Sequence, residues 1–293
     1  MHFPTLELAL ICLTHITSAL PTAPKQIEDF NNLHGLTHME RDLSGTEYDP
    51  EGKYFHESMF HQHYDGRFGS RPLTDEDRIS NLTALAQTYL STMTALNIQT
   101  WIMHGSLLGW YWNRRIMPWD TDIDVQIGES SIKFLGDYYN MTVHHFELSS
   151  DGSKPPRPTS PSASSRSYLL EINPNYVNAS TEDYLNVIDA RWIDTATGLF
   201  IDMTTLRRNA SAEEEGEKGS MMCKDKHHYM HEDIFPLRSS TFEGAPVLIP
   251  YRYSGLLTEE YGDKALTETV FEEHYFDEDR KEWMPFMVQQ RVG

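Results

Sequence analysis

Residues 101–127 read Trp-Ile-Met-His-Gly-Ser-Leu-Leu-Gly-Trp-Tyr-Trp-Asn-Arg-Arg-Ile-Met-Pro-Trp-Asp-Thr-Asp-Ile-Asp-Val-Gln-Ile. Asp120, Asp122 and Asp124 alternate along the end of this run, and Gly105-Ser106 precedes them. From Asp122 to Ile127 polar and aliphatic residues alternate. That is strand periodicity, which turns Asp122 and Asp124 to one face and Ile123, Val125 and Ile127 to the core. Two carboxylates a few ångströms apart repel by roughly 4 kcal/mol at an effective dielectric of 20. Water, a shared proton or a cation relieves that repulsion. An oxygen-only donor set suits a hard ion, Mg²⁺ or Mn²⁺, held by one or two carboxylates plus substrate phosphate. A solvated acidic turn is the bland alternative. The apolar alternation, Pro118-Trp119 and the upstream Gly-Ser favour chemistry.

Gly105-Ser106 reads as a tight turn into a helix. Glycine lets the backbone approach a ligand closely, and free N–H groups at a helix start favour an anion such as phosphate. A third acid is available in residues 187–205. Asp194 to Gly198 is turn chemistry between two β-prone runs, which predicts a hairpin. Asp202 ends the apolar second strand and is the expected third carboxylate. Asp189 opens the first strand, where it either assists the site or satisfies the hairpin's backbone. Cys223, His227, His228 and His231 invite a zinc reading, but they lack a complete C-x-x-C…H-x-x-x-H frame.

Met103 to Asn113, taken with Pro118 to Val125, resembles the LicD/fukutin family of phosphotransferases, most closely its fungal mannosylphosphorylation branch. Further matching stretches are Lys53 to Glu57, Tyr64 to Phe68, Asn186 to Thr204, Asp233 to Arg238, Phe242 to Gly244 and Glu260 to Gly262, so the resemblance covers roughly residues 46–275. It implies an α+β fold: a nucleotidyltransferase-like mixed sheet flanked by helices, with flexible loop insertions. It implies Asp122, Asp124 and Asp202 as ligands of Mg²⁺ or Mn²⁺, with Gly105 and Ser106 on the donor phosphates. Asp120, or a carboxylate free of metal, would orient or deprotonate an acceptor hydroxyl. Arg238 becomes a phosphate clamp, and His227 or His228 a proton carrier; a surface ion pair and hydrogen-bonded packing are their plain alternatives. The implied donor is nucleotide-linked, GDP-mannose as in fungal relatives or a CDP-linked compound as in bacterial and fukutin-type ones. The acceptor is a glycan or glycoprotein, and a partner transferase in the Golgi fits the same picture. Two rivals stand: a metal-dependent glycosyltransferase using the acidic pair alone, and a non-catalytic regulator of mannosylphosphate transfer.

These devices need a core and a compartment. At 293 residues the chain can form one sizeable domain with insertions. Its net charge of −20 argues against a nucleic-acid partner and calls for local cations around any phosphate substrate. Residues 1–20 resemble an imperfect signal peptide or short anchor, apolar from Leu8 to Leu13 but without Lys or Arg. Sequons at Asn81, Asn140, Asn178 and Asn209 agree with the secretory lumen, with secretion or an N-terminal anchor as variants. Cys223 is the single cysteine beyond the leader, so no disulfide scaffold is expected.

Residues 21–52 read as a lead-in. His56, His61 and His63 among aromatics read as packing against the domain rather than a metal site. Thr74 caps a helix whose stripe runs from Ile79 to Leu96. A short strand from Gln99 to Met103 then delivers Gly105-Ser106. A helix over 132–139 and a strand over 141–148 follow the acids. Segments 149–167 and 209–220 read as flexible insertions. The domain is expected to run over 53–275, with 276–293 as a cap or tail.

Overall fold

The computed structural model describes residues 27–30, 50, 52–149 and 154–286. The expected leader and most of the lead-in lie outside them. In chain order the elements are β1 (Ile27–Asp29), α1 (Asp75–Ala95), β2 (Thr100–Ile102), α2 (His104–Asn113), β3 (Ile123–Gly128), α3 (Glu129–Tyr138), β4 (Thr142–Glu147), β5 (Arg157–Pro158) and β6 (Arg166–Ile172). They continue as β7 (Ala190–Asp194), β8 (Phe200–Arg208), α4 (Ala210–Glu214), β9 (Ser220–Met222), β10 (His228–Met230), α5 (His231–Ile234), β11 (Arg238–Phe242), β12 (Ala245–Ile249), α6 (Tyr253–Tyr261), β13 (Val270–Phe271), β14 (His274–Asp277) and β15 (Glu282–Pro285).

The centre is a mixed sheet in the order β1-β4-β6-β7-β8-β3-β2, which bears out the expected α+β class. β3 and β8 run parallel; the other described pairs of this sheet are antiparallel. The parallel pair sets Asp124 opposite Asp202 and Gln126 opposite Thr204. Paired residues share a face, so two predicted acids stand side by side by register alone.

The opposite face is the core. Ile123, Val125 and Ile127 bury there with Ile201, Met203 and Trp192. α1 covers it with Leu82, Leu85, Ala86, Tyr89 and Met93, a helical stripe as predicted. The Thr74 hydroxyl accepts the Asp77 N–H, and Asp75, Glu76 and Asp77 oppose the positive end of the helix dipole.

Three boundaries differ from the sequence reading. Asp202 is not the end of its strand: β8 continues through buried Met203 to Arg208, paired with β3 as far as Leu206 and with β9 at Arg207 and Arg208. In the segment read as insertion 209–220, the Asn209 side chain accepts the Ala212 N–H and starts the one-turn α4, and Ser220 begins β9. The insertion over 149–167 contains β5, paired to β4, and ends where Arg166 begins β6 in an ion pair with Asp194. Near the C-terminus, β13 to β15 form a separate small sheet whose Phe276 and Trp283 pack on Met117. It spans the expected boundary at 275.

Candidate active site

The start of α2 is clipped to the middle of the acidic strand. The Met103 N–H donates to the Asp124 carbonyl at 3.1 Å. The Asp124 N–H donates back to the Ser106 hydroxyl, also at 3.1 Å. Ser106 is therefore a buried positioning group for Asp124, and the amides of the first helical turn stay outside the intrahelical ladder. Gly105 lies close against Asp120: a Cβ there would sit 3.1 Å from Asp120 Oδ2, so the carboxyl would have to shift by a few tenths of an ångström. Arg78 holds the loop that carries Asp120, donating to the carbonyls of Asp120 at 3.0 Å and Pro118 at 2.9 Å.

Asp120, Asp122, Asp124 and Gly105 line one cavity of about 430 Å³. Trp112, Trp119, Phe271 and Trp283 form an aromatic wall to it, and Lys264 and Tyr261 complete the rim. Burial, then repulsion from Asp122, pushes the Asp120 carboxyl up to about 7. The Asp124 carboxyl is driven well above the usual range by burial, then by Asp122, Asp202, Asp120 and Glu260. Carboxyls raised by burial and then by one another's charge are oxygen donors whose ionised form a hard divalent cation would stabilise.

Asp202 adjoins Asp124 in register but accepts from Arg191 Nε at 2.7 Å. Burial raises its carboxyl against the pull of Arg191. Arg191 also donates to Glu57 at 2.8 Å and lies 3.7 Å over the Phe200 ring. Asp202, Arg191, Glu57 and Lys53 face a neighbouring cavity of about 330 Å³. The third acid is thus beside the first two, with its own counter-charge.

Other expected residues lie elsewhere. Asp189 is fully buried; its carboxylate accepts the Thr205 N–H at 2.9 Å and Arg207 Nη1 at 3.1 Å, and Lys224 Nζ lies 2.7 Å away. Of its two readings, that of satisfying the hairpin's backbone matches this geometry. Arg238 is exposed and stacks 4.3 Å over the Tyr251 ring, outside the cavity lining. His228 is exposed on β10, 3.5 Å from Asn209. Cys223 is buried against Gln126, and His231 packs on Phe235, so the Cys–His stretch does not gather into one group.

His227 does approach the site. Its ring lies 4.5 Å from that of His104, which contacts Glu260 at 2.8 Å. Asp225 at 3.1 Å raises the His227 imidazole above its ordinary value. His63 makes a second approach: Nδ1 bonds the Thr121 hydroxyl at 2.6 Å and Nε2 lies 3.5 Å from Asp122. Sequence reasoning missed His63, His104, Glu260 and Lys264 as site residues. The available signals were weak: His104 abuts Gly105, and Glu260 opens the Glu260-Tyr261-Gly262 stretch.

These features define an α+β domain built around an acidic centre at a strand–helix clip. Residues 97–252, just over half of the chain, match the LicD/FKTN/FKRP nucleotidyltransferase-domain family, and the chain belongs to that family. Two Saccharomyces cerevisiae proteins are similar to it. Mannosyltransferase regulator 4 is 29% identical over 127 residues, which is 43% of this chain and 10% of that protein. Mannosyltransferase regulator 14 is 26% identical over 178 residues, 56% of this chain and 18% of that protein. Each match spans less than a fifth of the relative's length.

Proposed function

We propose that the chain transfers a phosphorylated group, mannose 1-phosphate, from a nucleotide-linked donor such as GDP-mannose to a glycan hydroxyl. The register of Asp124 against Asp202, beside Asp122 and the cavity, is the observation that carries this reading. Asp122, Asp124 and Asp202 would hold Mg²⁺ or Mn²⁺, which supplies charge neutralisation at the transferred phosphoryl group. Lys264 and the open amides at the start of α2 bind the donor phosphates. The aromatic wall of Trp112, Trp119 and Trp283 offers a stacking surface for base or sugar. Asp120, with its carboxyl near 7, is suited to take the acceptor hydroxyl's proton. The acceptor oxygen bonds to the donor's β-phosphorus, the bond from that phosphorus to the bridging oxygen breaks, and nucleoside monophosphate leaves. The proposed setting is the lumen of the secretory pathway, with the Golgi as the compartment.

The names of both yeast relatives favour a second reading, a regulator of a separate mannosyltransferase. GDP-mannose labelled in both mannose and β-phosphorus separates the cases. Both labels in the product, with neither appearing when Asp122→Asn/Asp124→Asn protein is used, is the expected result. Sugar arriving without phosphorus would mean glycosyl transfer. No turnover by the purified chain, together with restoration of mannan phosphate by the double variant in a deletion strain, would establish the regulator instead.

A further inference from the structure

A second donor set converges beside the carboxylates. One ligand atom each of His104, His227 and Glu260 lies within 4.8 Å of the others. His104 opens α2, His227 directly precedes β10, and Glu260 is one residue from the end of α6. Chain connectivity does not bring them together; packing does. Two imidazoles and one carboxylate form a three-ligand set that leaves a fourth position open, the pattern of catalytic zinc. Imidazole ligands also favour a transition metal over the Mg²⁺ that suits the aspartates.

The surroundings agree with this chemistry. Asp225 stands 3.1 Å from His227 Nδ1, as carboxylates do behind metal-bound histidines to fix ring and tautomer. His104 has φ +51°, the left-handed region that a side-chain-bearing residue occupies against a local preference. Its Nδ1 lies 2.8 Å from Glu260 Oε1. Bonds of about 2.0–2.1 Å at a tetrahedral ion set neighbouring ligands roughly 3.4 Å apart, so binding requires this pair to open by about 0.6 Å. A proton between His104 and Glu260 would leave at the same time. The position matters because Glu260 repels Asp124 and the next residue, Tyr261, lines the acidic cavity. A cation there would offset the repulsion at the cavity's edge.

We propose that His104, His227 and Glu260 bind one divalent transition-metal ion, Zn²⁺ by ligand preference, at a site distinct from the aspartates. Binding is independent of the transfer reaction, so the test uses tag-free, full-length Asp122→Asn/Asp124→Asn protein. Co²⁺ is titrated as a visible probe for the Zn²⁺ site, and bound metal is counted by elemental analysis after dialysis. The expected result is one equivalent with four- or five-coordinate ligand-field bands and no thiolate charge-transfer band. Adding His104→Gln or His227→Gln should weaken binding at least about tenfold. Unfolding in chelator checks that each variant is folded; if one histidine variant fails to fold, the other and Glu260→Gln carry the comparison. Absence of a bound equivalent, a thiolate band from Cys223, or affinity unchanged by these substitutions would overturn the proposal.

Discussion

The charge state of Asp120 makes a quantitative prediction about the metal-free protein. Burial, with Asp122 repulsion behind it, moves its carboxyl from 3.8 to about 7, roughly 4 kcal/mol against ionisation in the fold. The folded value lies above the unfolded one. The stabilising contribution of the neutral acid is therefore full below the unfolded value and is lost as pH rises through about 7. Asp120→Asn keeps the shape of the side chain and removes the titration. Between pH 5 and pH 8, in EDTA, wild type should lose roughly 2–3 kcal/mol relative to the variant. At about 2–4 °C per kcal/mol for a domain of this size, the gap in Tm is about 5–10 °C. Urea unfolding at each pH gives the free energies, and thermal scans check them. Profiles of the two proteins that run parallel from pH 5 to pH 8 would refute the reasoning. A wild type that gains on the variant with rising pH would refute it equally. Saturating Mg²⁺ should narrow the gap at pH 8, because the cation takes over the neutralising role of the proton.

Other perturbations probe the surroundings. Asp124→Asn should abolish Mg²⁺- or Mn²⁺-linked stabilisation, which for wild type reaches about 2.7 kcal/mol at a hundredfold excess over Kd; thermal shift with and without metal measures it. Arg191→Met leaves Glu57 and Asp202 without their shared counter-charge and should cost about 3–5 kcal/mol in urea unfolding at neutral pH. Gly109→Ala would put a Cβ 2.3 Å from the Arg115 carbonyl oxygen, where backbone rather than a flexible side chain must yield. Its expected cost is about 1–3 kcal/mol, read from the urea midpoint, with weaker metal-linked stabilisation as the α2 turn shifts.

Periodicity made much of the local structure legible. The α1 stripe, the acidic strand and the 190–208 hairpin are patterns of a few residues, set by side-chain direction along a helix or strand. The continuation of β8 past Asp202 was hidden because Thr204, Thr205 and Arg207 are polar yet buried between neighbouring strands. Arg238 and His228 have chemistry suited to phosphate and protons, but their strands point them away from the cavity lining.

The amino-acid order by itself determined that Asp122 and Asp124 share a face and that a helix containing Gly105-Ser106 precedes them, because both follow from local backbone geometry. Only the tertiary structure decided that Asp202 stands in register with Asp124 and that Ser106 clips the helix to that strand. It also decided that His63, His104, His227 and Glu260 gather around the acids. Strand register and packing fix those meetings, and neither leaves a periodic trace along the chain.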